Sequence, residues 1–188
     1  MDAFETLSFP RQAALDEEAL RAAYARVSRE AHPDHGGSEN RAAEVNASYE
    51  LLRAPEKRLK HLLELDGPEE ARAWRAVPMD DGMMNVFLEL GSALESSGKL
   101  LAKKEKAASA LAKALLANEE MAQRERLEAI GFALEDRRRV LEEELAGLDA
   151  KLAGRSLDAW KDAAAMQARF SYIAKWHTQV RERLLALM

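Results

Sequence analysis

The sequence contains no cysteine among its 188 residues, and it has only 5 prolines and 9 glycines. Without cysteine, the chain can form neither disulfides nor thiolate metal sites, and it has no cysteine nucleophile. No apolar run approaches the roughly 18 residues that a membrane-spanning helix needs. The N-terminus also lacks the basic stretch and apolar core of a secretory signal. Together these absences predict a cytoplasmic protein with no membrane partner.

The charge distribution argues against a nucleic-acid partner. The formal net charge is -5, which gives the chain no overall attraction to phosphate backbones. One basic cluster occurs, and we interpret it as a solvent-exposed helix face. Its members are Lys99, Lys103, Lys104, Lys106 and Lys113. Because almost no stretch alternates apolar and polar residues with period two, we predict an all-α fold.

The tripeptide His32-Pro33-Asp34 lies between two segments with the apolar spacing of helices. Their apolar residues are Leu20, Tyr24, Val27 and Ala31 on one side, and Ala42, Val45, Tyr49 and Leu52 on the other. Apolar residues three and four apart form one buried stripe on each helix. Pro33 disfavours helical geometry at His32, and Ser38 can cap the second helix. The pattern therefore predicts a helical hairpin with the tripeptide in the loop at its tip.

This hairpin resembles the J-domain, the module with which co-chaperones stimulate DnaK-type ATPase chaperones. Three further segments match the family in order. Residues 4–7 are similar to its short first helix, 46–52 to its third-helix signature, and 55–58 to the start of its fourth helix. The resemblance implies that Asp34, together with His32 and Pro33, presents a carboxylate to an arginine of the chaperone ATPase. Such a charge-assisted pair requires an exposed and rigid loop.

The resemblance also implies a docking face on the second helix, which in J-domains meets an acidic groove of the chaperone. Arg21, Tyr24 and Arg26 occupy positions that match the family, and Arg29 lies on the same helix. Ala25 departs from the family, in which a basic residue is common at that position. Weaker or more selective docking is therefore implied, with Arg26 and Arg29 compensating in part.

We predict that the J-domain covers residues 1–67, because Asp66-Gly67-Pro68 is a strong stop signal after an apolar helix face. A connector follows at residues 68–80. It contains Trp74, Val77 and Pro78, which we expect to pack against the two domains and hold the connector in place. The remaining residues, 81–188, are predicted to form a C-terminal helical domain.

The C-terminal domain is predicted to be a three-helix bundle with long antiparallel helices. The expected apolar stripe of its first helix is Met83, Phe87, Leu90 and Leu94, and Ser96-Ser97-Gly98 is expected to kink or end that helix. The stripe of the second is Leu127, Ile130, Leu134, Leu141, Leu145, Leu148 and Leu152, ending at Gly154. The seam of the third, capped by Ser156, is Ala163, Met166, Phe170, Ile173, His177, Val180, Leu184 and Leu187.

Two arrangements are open for residues 99–126. One helix could run from Lys99 to Leu152, which would make it far longer than its neighbours. Alternatively, a turn near Asn118 would give three helices of similar length, with Asn118 capping a helix that begins at Glu119 and Glu120. We favour the turn.

A J-domain followed directly by three helices resembles HscB, the iron–sulfur cluster co-chaperone. Similar stretches include residues 62–67 at the domain junction and parts of the last helix, around Trp160, Phe170 and 181–185. HscB binds the scaffold protein on which the cluster is built. The resemblance places the corresponding client contacts on Met84, Leu88, Phe170 and the acidic Glu89, and helical spacing adds Glu95 to the stripe of Met84 and Leu88. Phe170 also lies in the seam of the last helix, so core packing is an open alternative for it. Ser92 and Ser96 stand where further acidic residues are expected, and the middle of the domain is longer than in HscB.

These observations predict a co-chaperone and not an enzyme. With four histidines, no cysteine and no glycine-rich phosphate loop, the sequence offers no catalytic constellation and no cofactor site. The spacing of His32 and His35 fits no defined metal site. The expected partners are a DnaK/HscA-type ATPase chaperone and a client, expected to be an iron–sulfur scaffold protein. The alternative is a J-domain adaptor whose long C-terminal helices self-associate as a coiled coil and serve another client.

Overall fold

The computed structural model describes residues 1–73 and 79–188, and these ranges contain helices and connecting turns but no strand. The helices are α1 (Ala3–Thr6), α2 (Glu17–Ala31), α3 (Glu39–Leu52), α4 (Pro55–Asp66), α5 (Glu69–Arg72), α6 (Asp81–Lys106), α7 (Ala110–Ala153) and α8 (Leu157–Ala186). The all-α prediction is confirmed. Among these residues, no helix combines the length and the apolar character needed to cross a bilayer.

The chain divides into two compact units. The first contains the described residues up to Ala73 together with Leu141–Phe170, and the second contains Met79–Val140 together with Ser171–Met188. Both α7 and α8 therefore contribute residues to each unit. The predicted domain limits of 1–67, 68–80 and 81–188 stay a prediction. The connector residues Trp74, Val77 and Pro78 lie outside the described residues.

In the first unit, α2 and α3 form the predicted hairpin. Asp16 caps α2 by accepting a hydrogen bond from the amide of Ala19 at 2.9 Å, and Ser38 caps α3 by accepting one from Arg41 at 3.2 Å. The apolar faces of these helices are buried with residues of α1 and α4. The main core side chains are Phe4, Leu20, Val27, Ala31, Val45, Leu52, Leu59 and Leu62. This core orients α2 so that its opposite face meets solvent.

Polar contacts fasten the N-terminus to α4. Asp2 caps α1, accepting from the amide of Phe4 at 3.0 Å, and also accepts from Arg11 Nε at 3.1 Å. Arg11 also forms an ion pair with Asp66 at the end of α4, with 2.7 Å between Arg11 Nη1 and Asp66 Oδ1. Burial raises the pKa of Asp2, but the hydrogen bonds from Arg11 and from backbone amides outweigh it, so the pKa lies below its ordinary value.

In the second unit, α6 and α7 are antiparallel and α8 lies beside them. Residues late in α6 pair with residues early in α7: Lys103 with Glu119 at 3.0 Å and Lys104 with Glu120 at 2.6 Å. On α8, Arg183 donates from Nη1 to the carbonyl oxygen of Leu94 at 3.0 Å. The predicted bundle of long helices is thus confirmed. The lysine cluster is therefore not simply a solvent-exposed face, because two of its members form ion pairs across the α6–α7 hairpin.

The predicted turn near Asn118 is wrong. The break between α6 and α7 lies at residues 107–109, where Ser109 caps α7 by accepting from the amide of Ala112 at 3.1 Å. Asn118 lies inside α7, because the alanine-rich sequence before it favours helix more strongly than an exposed asparagine opposes it. The three helices are therefore not of similar length: α6 has 26 residues, α7 has 44 and α8 has 30.

An end of the helix at Ser96-Ser97-Gly98 is also wrong, since α6 continues through these residues to Lys106, whereas the kink stays a prediction. The side chain of Ser97 is buried, and its hydroxyl donates to the carbonyl oxygen of Ala93 at 2.7 Å. A serine that bonds back to the preceding turn satisfies its own hydroxyl without leaving the helix. The predicted helix ends elsewhere are confirmed: Asp80 caps α6, α7 stops before Gly154, and Ser156 caps α8.

Candidate functional site

The loop at the tip of the α2–α3 hairpin begins where α2 is forced to end. His32 has extended backbone geometry, with φ of -68° and ψ of 137°, as expected for a residue before proline. Pro33–His35 then form one turn of 3-10 helix. Because proline fixes its own φ and constrains the preceding residue, Pro33 gives the loop a defined course.

Backbone hydrogen bonds close this loop. The carbonyl oxygen of His32 accepts from the amides of His35 at 2.9 Å and Gly37 at 3.1 Å. Gly36 has a φ of 89°, in the left-handed region that favours glycine. A Cβ atom on Gly37 would overlap the backbone carbonyl of Ala31. Both glycines are therefore required by the geometry of the loop, which is more constrained than a simple flexible turn.

Within the loop, His32 organises the residue that is expected to contact the chaperone. Its Nδ1 accepts a hydrogen bond from the backbone amide of Asp34 at 3.2 Å, and the same atom lies 3.6 Å from Asp34 Oδ2. The Asp34 side chain is 84% exposed. The arrangement holds a carboxylate at the tip of the hairpin with its oxygens open to an incoming cation.

The predicted docking face lies on the outward side of α2. Arg21, Arg26 and Arg29 are all exposed, opposite the buried stripe of that helix. Arg21 pairs with Glu17 at 2.8 Å. Arg29 is three residues before His32, so the basic face leads directly into the loop. The structure thus leaves the three arginines and the tripeptide exposed, on α2 and on the loop that follows it.

Tyr24 has a different position from the arginines. It is half-buried, its ring stacks on Tyr49 of α3, and its hydroxyl donates to Asn46 Oδ1 at 2.7 Å. Tyr24 therefore joins the two helices of the hairpin and leaves less of its surface to a partner than the exposed arginines do.

The predicted client residues of α6 are exposed. Met84 is 40% exposed and Leu88, one turn later, is 60% exposed. Glu89 and Glu95 are also on the surface. The carboxylate of Glu95 pairs with Lys99 at 2.6 Å, and this hydrogen bond lowers the pKa of Glu95. The negative charge of Glu95 is thus already paired with a lysine of the same helix.

Phe87 is not the core residue that the apolar stripe predicted. It is 45% exposed, and its ring centroid lies 5.7 Å from that of the buried Trp176 on α8. The ring centroid of Tyr172, a residue that no sequence pattern singled out, lies 5.8 Å from that of Trp176, and Tyr172 is also exposed. Met84, Phe87, Leu88 and Tyr172 together form what we call the apolar patch. Periodicity misplaced Phe87 because the buried stripe of α6, which includes Met83, Leu90 and Ala93, is narrower than the apolar stripe of its sequence.

Phe170 does not belong to an exposed surface. Only 2% of it is exposed, and it lies in the seam of α8 among residues that pack inward. The prediction that Phe170 contacts a client is therefore corrected, because its side chain has no surface to offer. Phe170 also belongs to the first unit, whereas the apolar patch belongs to the second.

Comparison with known proteins agrees with this geometry. Residues 2–61 match the family model described as the DnaJ domain. Chaperone protein DnaJ of Nostoc punctiforme is 36% identical over 92 residues, which are 47% of this chain and 24% of that protein. A co-chaperone protein HscB homolog of Cupriavidus taiwanensis is 41% identical over 75 residues, covering 35% of this chain and 43% of that protein. The chain thus spans less than half the length of these curated relatives.

Solved structures extend the similarity beyond the J-domain. Chaperone HscB from Vibrio cholerae matches with a TM-score of 0.57 and 25% identity, covering 100% of both chains. Human co-chaperone protein HscB matches with a TM-score of 0.56 and 19% identity over 97% of this chain and 81% of that one, a likeness of fold. Residues 2–61 match the DnaJ domain, and over its whole length the chain is similar to the HscB co-chaperones.

Proposed function

We propose that this protein is a co-chaperone that stimulates ATP hydrolysis by a DnaK/HscA-type chaperone and delivers a client to it. The observation that carries the proposal is the closed loop at the tip of the hairpin, with the exposed carboxylate of Asp34 held beside His32. Such a loop can place a carboxylate against an arginine of a partner with little loss of conformational entropy. The protein itself supplies no catalytic group in this scheme, since hydrolysis occurs on the chaperone.

The basic face of α2 supports the same role. Three exposed arginines on one side of a helix favour encounter with an acidic surface, because opposite potentials raise the association rate. The arginines bring the chaperone to α2, and the loop then acts on its ATPase. Docking and triggering are therefore assigned to neighbouring but different residues.

The test is a single-turnover ATPase assay with a purified DnaK/HscA-type chaperone. The wild-type chain should accelerate hydrolysis, and the variants His32→Gln and Asp34→Asn should not. His35→Gln is the matched control, because His35 is exposed in the same loop but lies outside the tripeptide. Full stimulation by both tripeptide variants would refute the mechanism, as would equal loss in the His35 control.

For the client, we propose an iron–sulfur scaffold protein that binds the apolar patch. Exposed apolar side chains grouped on neighbouring helices are typical of protein-binding surfaces. The patch rests on the buried ring of Trp176, so its aromatic members are held in place before a partner arrives. A pull-down with a purified scaffold protein, with and without changes in the patch, tests this part of the proposal separately from the ATPase assay.

The alternative, a coiled-coil adaptor, has less support. Most of the α8 seam on which it rests is buried inside the chain, including Met166, Ile173 and Val180. A seam already packed against its own helices is not available to a second copy. Light scattering on the purified protein should therefore report a monomer, and a stable dimer would favour the adaptor.

A further inference from the structure

In the second unit, helix α8 stops short of the turn between α6 and α7. Near its end, Arg183 donates from Nη1 to the carbonyl oxygen of Leu94 at 3.0 Å and to the hydroxyl of Ser97 at 3.2 Å. The helix ends at Ala186, three residues after Arg183. By contrast, α6 continues to Lys106, nine residues beyond Ser97. The two helices of the α6–α7 hairpin therefore extend past the third.

The part of the hairpin beyond α8 has no buried side chain. Leu100 is fully buried on α6, and Leu127 on α7 is the next buried residue along the chain. Residues 101–126, which we call the α6–α7 extension, are all half-buried or exposed. Residues 110–126 span about 25 Å at the usual helical rise. Over that length two helices pack against each other without a third, so apolar side chains on their other faces meet solvent.

The start of α7 is apolar on all sides. Between Ala110 and Asn118 the side chains are those of alanine and leucine, apart from Lys113. Leu111 is 71% exposed and Leu115, one turn later, is 74% exposed. A helix that is apolar all round is normally buried. Large apolar side chains exposed together are typical of a surface that another molecule covers.

The charge of the extension indicates the chemistry of that molecule. Residues 101–118 contain four lysines and one acid, namely Lys103, Lys104, Lys106 and Lys113 against Glu105. Lys103 and Lys104 pair with acids of α7, but Lys106 and Lys113 are exposed and form no ion pair within residues 1–73 and 79–188. The apolar stretch thus carries two unpaired positive charges in a chain whose net charge is -5. Such a surface complements carboxylates beside an apolar stripe.

We propose that the α6–α7 extension docks an acidic amphipathic helix of a partner protein. The apolar face of that helix covers Leu111 and Leu115, and its carboxylates pair with Lys106 and Lys113. A second copy of this chain fits poorly, because it brings the same lysines together. An anionic membrane also fits poorly, because lipid-binding basic clusters contain about four or more lysines or arginines, and only two are unpaired here. The inference does not depend on the proposed co-chaperone function.

A peptide-binding assay on the full chain tests the inference. The probe is a fluorescein-labelled synthetic peptide of about 18 residues, five helical turns, with leucines on one face and glutamates on both flanks. Fluorescence anisotropy should show that the wild type binds it, and that binding weakens as salt is raised. The double change Leu111→Ser, Leu115→Ser should weaken binding by at least about tenfold, as for loss of anchor side chains. Phe132→Ser is the matched control, because Phe132 is 76% exposed on the same helix.

A second double variant, Lys106→Glu with Lys113→Glu, tests the charge. It should bind the glutamate peptide more weakly than the wild type does, and it should prefer a peptide with lysines in place of the glutamates. The melting temperatures of both double variants should stay near that of the wild type, because all four side chains are exposed.

Failure of the wild type to bind the glutamate peptide, or equal binding by the leucine variant, would overturn the inference. A dimer in light scattering that is lost in the leucine variant would overturn it in favour of a second copy. Sedimentation with phosphatidylserine vesicles that is lost in the same variant would overturn it in favour of a membrane. None of these outcomes bears on the ATPase assay, so they are distinguishable from failure of the proposed function.

Discussion

The rings of Tyr24 and Tyr49 stack with their centroids 4.4 Å apart and their planes at 28°, joining α2 to α3. Both rings are half-buried. Offset aromatic pairs contribute about 0.5–1.5 kcal/mol beyond the area they bury. In a double-mutant cycle on Tyr24→Leu and Tyr49→Leu, urea unfolding should give a coupling free energy of about 1 kcal/mol. Tyr24→Phe retains the stack, so it should cost less. Additive single changes would contradict the pairing.

The loop glycines should not tolerate a side chain. In Gly37→Ala, the new Cβ would overlap the carbonyl of Ala31, so the loop must open and stimulation of the chaperone should fall with it. The free energy of unfolding should drop by about 1–3 kcal/mol, as for other strained backbone positions. Gly147→Ala is the control, because that helical glycine has open space around it and should gain about 1 kcal/mol from helix propensity. An active, fully stable Gly37→Ala protein would contradict the loop geometry.

Charge reversal should have a larger effect on chaperone association at Arg26 than at Arg21. Arg21 already pairs with Glu17, whereas Arg26 has no carboxylate partner within residues 1–73 and 79–188. We therefore expect Arg26→Glu to slow association with the chaperone by about tenfold at low salt, and Arg21→Glu to slow it less. Surface plasmon resonance at several salt concentrations measures both effects. Arg41→Glu, on α3, is the control. Association rates that do not change with salt would mean that these arginines do not steer the encounter.

The apolar patch should be dispensable for folding. Because Met84 and Leu88 are exposed, the double change Met84→Ser, Leu88→Ser should alter the unfolding free energy by only about 0.5 kcal/mol. It should weaken scaffold binding by at least about tenfold, which corresponds to about 1.4 kcal/mol. The neighbouring Met83 is buried, so Met83→Ser should instead lower the melting temperature sharply. Normal scaffold binding by the double variant would exclude the patch as the client surface.

The link between Asp2 and Arg11 predicts a pH dependence of stability. The pKa of Asp2 is lowered in the folded protein below the ordinary value of 3.8, so its stabilising contribution is complete above that pH. The contribution is lost as the pH falls through the folded-state pKa. Asp2→Asn keeps a good helix cap but removes the charge, and it should cost on the order of 1 kcal/mol at neutral pH.

This prediction is checked by chemical unfolding of both proteins between neutral pH and about pH 3, the region near the ordinary carboxyl pKa. The difference in unfolding free energy between wild type and Asp2→Asn should narrow as the pH falls below 3.8. Glu5→Gln, an exposed neighbour, serves as the control. A difference that stays constant across this range would mean that the charge of Asp2 does not stabilise the fold.

Local signals predicted the J-domain well because they act over a few residues. Pro33 ends α2 and Ser38 starts α3 through contacts with their immediate neighbours, so the sequence alone places the loop. The exposed Asp34 follows from that placement. By contrast, the start of α7 was hard to predict because both Asn118 and Ser109 are residues that can cap a helix, and Ser109 is the one that does so. Two good capping residues in one helical stretch cannot be ranked without knowing how long the partner helices are.

Contacts between residues distant in the sequence were beyond prediction. The inward position of Phe170 and the outward position of Phe87 are set by which neighbours each helix meets, and both residues fit an apolar stripe equally well. Asp149 carries no motif at all, although its carboxylate accepts from the backbone amides of Ala13 and Ala14, far away in the sequence. Helical periodicity reports which residues are apolar on one side, but it does not report where that side ends.

The attachment of Ala13 to Asp149 also bears on how the chain is made. The two residues are 136 positions apart, so at ~5–20 residues per second the ribosome needs on the order of ten seconds to supply the second after the first. During that interval the α2–α3 hairpin can form from its own local contacts, but the amides before α2 have only water to bind. The part of the protein synthesised first thus receives its final hydrogen bonds only after most of the chain has been translated.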